Sequence, residues 1–105
     1  MIRVTLHWKG GLIAGFECKG HAGFAEAGQD IVCAAVSTLT TTCANALETV
    51  AGVKPTVTSR SGSMRLSLPA GAGPDAQVIL KSMRQGLCDL KEAYPDHLQI
   101  TERSA

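Results

Sequence analysis

Ile2, Val4, Leu6 and Trp8 alternate with Arg3, Thr5, His7 and Lys9, a period of two that only a strand with one wet face produces. Gly10-Gly11 follows as a tight-turn signal, and Leu12, Ala14, Phe16 and Cys18 resume the alternation against Glu17 and Lys19. The chain is therefore expected to open with a β-hairpin, with Cys18 on its core side and His7 on its solvent side. Near Asp30 the period becomes helical. Asp30 is a favoured N-cap, apolar residues recur at Ile31, Ala35, Leu39, Thr42/Cys43, Ala46 and Val50, and Gly52 offers a stop.

Val53 to Arg60 and Ser63 to Leu68, on either side of Ser61-Gly62, predict a second hairpin with Met64, Leu66 and Leu68 inward. Pro74 suits the first turn of a second helix, whose ladder of Ile79, Met83, Leu87, Leu90 and Tyr94 ends at Pro95, with Cys88 packed beside it. His97 to Thr101 predicts a short last strand. The expected fold is α+β in the order ββαββα(β), a mostly antiparallel sheet with two helices on one face. At 105 residues the chain has room for one core, so residues 1–105 are expected to form a single domain.

The formal net charge is +1, and the ten Lys and Arg residues are scattered rather than clustered, which argues against direct nucleic-acid binding. The N-terminal alternation is unlike a signal peptide, and no segment approaches membrane-spanning length, so a cytosolic chain that does not use a membrane is expected. The four cysteines, Cys18, Cys33, Cys43 and Cys88, form no C-x-x-C pair and have no histidine at a metal-ligand spacing. They are expected to be reduced thiols with no metal among them. Most buried cysteines act as small hydrophobes, so any functional thiol has to depart from that pattern.

Cys33 departs from it. At about 100° per residue with Ile31 as zero, Ile31, Leu39, Cys43, Ala46, Leu47 and Val50 span an arc of roughly 160°. Cys33 falls near roughly 200°, beside Ser37, Thr40 and Ala44, where the helix surface turns small and polar. It also lies three residues after Asp30, close to the unpaired N–H groups and the positive end of the helix dipole. Such a position stabilises a thiolate over a thiol, and the same N–H groups suit an oxyanion formed when the thiolate attacks a peptide carbonyl.

A thiolate needs an imidazole within hydrogen-bond reach, from His7, His21 or His97. Of these, His21 sits at the mouth of the segment leading to Cys33. That segment, Gly20 to Gln29, is about ten residues long and glycine-rich, where strand-to-helix connections usually take roughly two to six. Its length marks it as a working loop.

The run G-H-A-G-F-A-E-A-G-Q-D-I-V-C-A-A-V-S, from Gly20 to Ser37, closely resembles the signature of the ribosomal-processing cysteine proteases of bacteria. The joined motif is far more specific than either half, and the element order over the rest of the chain agrees with that family. By position, the resemblance makes His21 and Cys33 the catalytic pair. It implies a substrate loop including Gly20, Gly23, Phe24 and Gly28, mobile until substrate arrives. It implies removal of a short N-terminal extension from the twenty-seventh protein of the large ribosomal subunit, and a homodimer.

On this reading Cys33 attacks the scissile carbonyl, His21 protonates the leaving amine and then activates water, and no cofactor is required. Asp30 and Ser37 are candidate supporting residues. Asp30 reads as a cap before a catalytic third member, and Ser37 as a small residue facing the loop before one lining the site. Two other functions compete. A non-enzymatic ribosome-assembly module would call for clustered Lys and Arg. A thiol redox sensor would call for a resolving cysteine near Cys33, whereas Cys18, Cys43 and Cys88 all read as core.

Overall fold

The computed structural model describes residues 1–20 and 29–105, with the side chains of Gln29 and Asp30 outside the described set. Strand β1 (Ile2–Lys9) and strand β2 (Leu12–Lys19) form the expected antiparallel hairpin. Gly10 and Gly11 both have positive φ, 57° and 78°, the two left-handed residues of a turn whose twist matches its strands. The inward alternation of β2 is broken, however. His7 faces Gly15 while Trp8 faces Ile13, which leaves Ala14 as the extra residue of a β-bulge.

One inserted residue exchanges the two faces of a strand. Phe16 keeps its expected core position, but ahead of the bulge Ile13 is buried and Leu12 is 52% exposed. The uninterrupted alternation expected from Leu12 to Cys18 thus holds only for its second half.

Strands β3 (Thr56–Arg60) and β4 (Ser63–Ser67) make the second hairpin, β3 starting later than Val53 and lying fully exposed at the sheet edge. Helix α1 spans Gln29–Thr49, helix α2 spans Pro74–Ala93, and strand β5 spans Leu98–Ser104. The sheet order is β3-β4-β2-β1-β5, antiparallel throughout except for β5, which lies parallel to β1. The last strand is therefore real, longer than expected, and reached through α2.

The core lies between one face of the sheet and the two helices. Ile2, Val4, Leu6, Phe16, Leu66 and Leu98 meet Val32, Val36 and Leu47 of α1 and Leu80, Met83 and Leu87 of α2. Each fully buried side chain of this size contributes about 1.5–3 kcal/mol over leaving it in water. Pro74 opens α2 as expected. The Arg84 guanidinium clamps Glu102 of β5 with two hydrogen bonds, and the Trp8 indole N–H donates to the same carboxylate. This exposed bridge fastens α2 to the parallel edge of the sheet.

The core face of α1 is rotated from its expected place. Ile31 is 59% exposed and Val50 72%, while Val32, Val36, Thr40, Cys43 and Leu47 form the buried stripe. A polar Thr40 is tolerated there because its hydroxyl donates to the Val36 carbonyl at 2.9 Å. Leu39 turns toward α2, where Gly86 makes room: a Cβ on Gly86 would lie 2.8 Å from the Leu39 side chain.

Contrary to expectation, one segment does have membrane-spanning length and composition, Ile31–Thr49 of α1. Its apolar stripe is packed on the sheet, and Ser37, Thr38, Thr41, Thr42, Asn45 and Glu48 occupy its exposed surface. Those contacts make it the core helix of this fold.

Candidate active site

The end of β2 is shaped by Gly20. Its φ is +78°, and a Cβ there would come within 2.7 Å of the Met1 carbonyl oxygen, so both backbone conformation and space call for glycine. Its N–H donates to the Gly62 carbonyl at 3.0 Å, tying the exit from β2 to the turn between β3 and β4. The chain is thereby held rigidly up to the residue before His21. His21 itself, with Gly23, Phe24 and Gly28, lies outside the described residues.

Helix α1 begins at Gln29, so Asp30 is its second residue rather than the residue before it. Cys33 consequently starts the second turn. Helical Cα–Cβ bonds tilt toward the N-terminus, which carries the thiol back over the first described turn of α1. Cys33 is half-buried and packs against the margin of the core. It keeps the border position expected of it even though the stripe beside it has rotated, because Thr40 and Val36 now define the core side and exposed Ser37 the other.

Ser37, one turn beyond Cys33, lines a depression of about 180 Å³. Across it are Cys18 of β2, Gly20 just beyond that strand, Arg60 from β3 and Met64 from β4. The depression thus joins the face of α1 that carries Cys33 to the tip of the second hairpin. The larger hollow, about 970 Å³, lies at the other end of β2 around Leu12, Gly15, Leu68 and Gln77 and has no thiol in its lining.

The four thiols are not equivalent. Cys43 is buried, and burial pushes its pKa up to about 11. Cys18 is also pushed up to about 11, first by burial and second by the nearby Cys33, on which a charge would disfavour one on Cys18. This closeness was missed in the sequence. A core-facing residue near the end of β2 and a border residue near the start of α1 carry no shared local signal, and only the packing of α1 over the sheet brings them together.

Of the two described histidines, His7 lies at the far end of β1 from Gly20, with its Nε2 3.8 Å from Glu17. His97 precedes β5 at the same sheet end as Gly20, and its carbonyl accepts the Ile2 N–H at 3.0 Å.

Residues 1–99 match the protein family described as Cysteine protease Prp. The chain belongs to this family. Among Prp relatives, the ribosomal processing cysteine protease of Bacillus subtilis is 34% identical, over 96% of this chain and 96% of its own. A Streptococcus mutans protein, SMU.848, superposes with a TM-score of 0.91 at 31% identity, over 100% of this chain and 96% of its own. The Prp protease of S. aureus, solved with a covalently linked product peptide, gives a TM-score of 0.88 at 25% identity, covering 98% of this chain and all of the other. Membership in the Prp family makes this chain a cysteine-type peptidase, and the five-stranded sheet with two helices is the Prp fold.

Proposed function

We propose that the protein removes the N-terminal extension of a large-subunit ribosomal protein, the twenty-seventh of that series, with Cys33 as nucleophile and His21 as its base. The observation that carries this reading is the placement of Cys33, half-exposed at the border of the core and leaning over the start of α1. A relative named for ribosomal processing and a related protease caught with a covalent product peptide support the same chemistry.

The reaction proceeds in two halves. The Cys33 thiolate attacks the scissile carbonyl while helix-start N–H groups hold the oxyanion. The His21 imidazolium protonates the departing amine, leaving an acyl-enzyme. Neutral His21 then takes a proton from water, the resulting nucleophile cleaves the thioester, and the thiolate and imidazolium are restored. Ser37 and the hairpin tip flank the approach. The enzyme works in the cytosol as a homodimer on this reading, which sedimentation at micromolar concentration tests.

Incubation of the purified chain with the extended ribosomal protein, followed by intact-mass measurement, tests the function. A truncated product with wild-type enzyme and none with Cys33→Ala is expected. An uncut substrate with folded wild-type enzyme would overturn the choice of substrate.

A further inference from the structure

Cys18 is the one thiol that the proposed reaction does not use but that lines the depression under the helix face carrying Cys33. On β2, Cys18 pairs with Val4 of β1 and Met64 of β4. It lines the depression shared with Ser37 and Thr40 of α1, the residues four and seven positions after Cys33 and therefore on the same side of the helix. Both cysteines pack against the margin of the same core. We propose that Cys18 is a resolving cysteine for Cys33, so that a peroxide converts the peptidase into a reversibly inactive form closed by a Cys18–Cys33 disulfide. The proposal rests on Cys33 being the reactive thiol.

The chemistry balances with a hydroperoxide as oxidant. The Cys33 thiolate attacks the terminal peroxide oxygen, an S–O bond forms, the O–O bond breaks, and the leaving alkoxide takes a proton to become an alcohol. The Cys18 sulfur then attacks the Cys33 sulfenic acid. The S–S bond forms, the S–O bond breaks, and hydroxide leaves with the Cys18 proton as water. Two electrons pass from the thiols to the peroxide, and a dithiol reductant returns them.

The surroundings of Cys18 suit this order of events. Burial and the neighbouring Cys33 keep it a thiol near neutral pH, so it does not compete with Cys33 for peptide or peroxide. Converting Cys33 to sulfenic acid removes the neighbour's negative charge and thereby one of the two causes holding Cys18 protonated. Cys43 faces the core from farther along α1, and Cys88 lies on α2 in a separate hollow with Glu92 and Glu102. Neither lines the depression that Cys18 shares with Ser37 and Thr40.

The test is intact-mass and peptide mapping of the full chain after a stoichiometric pulse of hydrogen peroxide, without prior reduction. A loss of about 2 Da per chain, with Cys18 and Cys33 peptides joined within one molecule, is expected. Activity, normalised to each protein's own starting rate, should return after dithiothreitol in wild type. It should return at least about threefold less in Cys18→Ala and Cys18→Ser, where sulfenic acid proceeds to sulfinic acid. Cys33 oxidised to sulfinic acid in wild type without a disulfide would overturn the resolving role and leave Cys33 as the reactive thiol. An unmodified Cys33 would overturn the reactive-thiol reading itself. A disulfide from Cys33 to Cys43 or Cys88, or between chains, would also overturn the assignment.

Discussion

The side-chain amide of Gln77, buried on α2, stands in for a missing strand against Ile13 of β2. Its Oε1 accepts the Ile13 N–H at 2.8 Å and its Nε2 donates to the Ile13 carbonyl at 2.9 Å. Strand β4 pairs with β2 only from Gly15 onward, so beyond the bulge the main chain of Ile13 has no strand on that side. Gln77 closes the ladder there.

Gln77→Ala would leave a buried donor and a buried acceptor without partners, at about 1–3 kcal/mol for each group. A loss of stability of roughly 2–6 kcal/mol is expected, lowering the melting temperature by on the order of 10 °C or more. Thermal unfolding followed by circular dichroism checks this. A shift of less than about 3 °C would mean that water replaces the amide at little cost.

The thiols should also separate by reactivity. With Cys18 and Cys43 both pushed up to about 11 and Cys33 half-exposed near a helix start, iodoacetamide near neutral pH should label Cys33 ahead of those two. The same shifts make a statement about stability. A thiol with its folded pKa raised from 9.0 to about 11 contributes stability that is fully present below 9 and is lost as pH rises through 11. The melting temperature should therefore fall between those pH values, less steeply in Cys43→Ala than in wild type. Comparable labelling of Cys43 in the native protein at neutral pH would contradict the burial argument.

Much of this was legible in the sequence, for reasons that also explain what was not. The hairpins and helices announce themselves through local periods and through Gly10-Gly11 and Pro74, which act over a few residues. The bulge at Ala14 has no such marker. Its nearest sign is Gly15, where a Cβ would run into the Leu66 carbonyl oxygen, a clash with a strand fifty residues away. On α1, stripes beginning at Ile31 and at Val32 are almost equally apolar, and the choice turns on Thr40, which is buried because its hydroxyl finds a helix carbonyl. The Gly20 to Ser37 motif pointed to Cys33 without geometry. The nearness of Cys18 to Cys33 depends on how α1 lies across the sheet, which no local pattern encodes.

Gly20 offers a test of how the motif is built. Gly20→Ala forces a left-handed residue to carry a Cβ against the Met1 carbonyl, a strain of about 1–3 kcal/mol. Because the strain falls on the residue before His21, turnover is expected to drop at least about tenfold in a variant that still folds. Peptide-cleavage rates measured well below each protein's melting temperature make the comparison. Turnover that tracks only the folded fraction would show Gly20 to be purely structural.

Cys33 is expected to carry the acyl group, and locating that group on the chain decides whether it is the nucleophile. Wild-type enzyme mixed with a peptide spanning the cleavage site, quenched in acid within a turnover and mapped by mass spectrometry, should carry the N-terminal product as a thioester on Cys33 alone. His21→Ala should form little adduct, and His97→Ala should form it normally. An adduct on Cys18, Cys43 or Cys88, or continued cleavage by Cys33→Ala, would rule out Cys33 as the nucleophile.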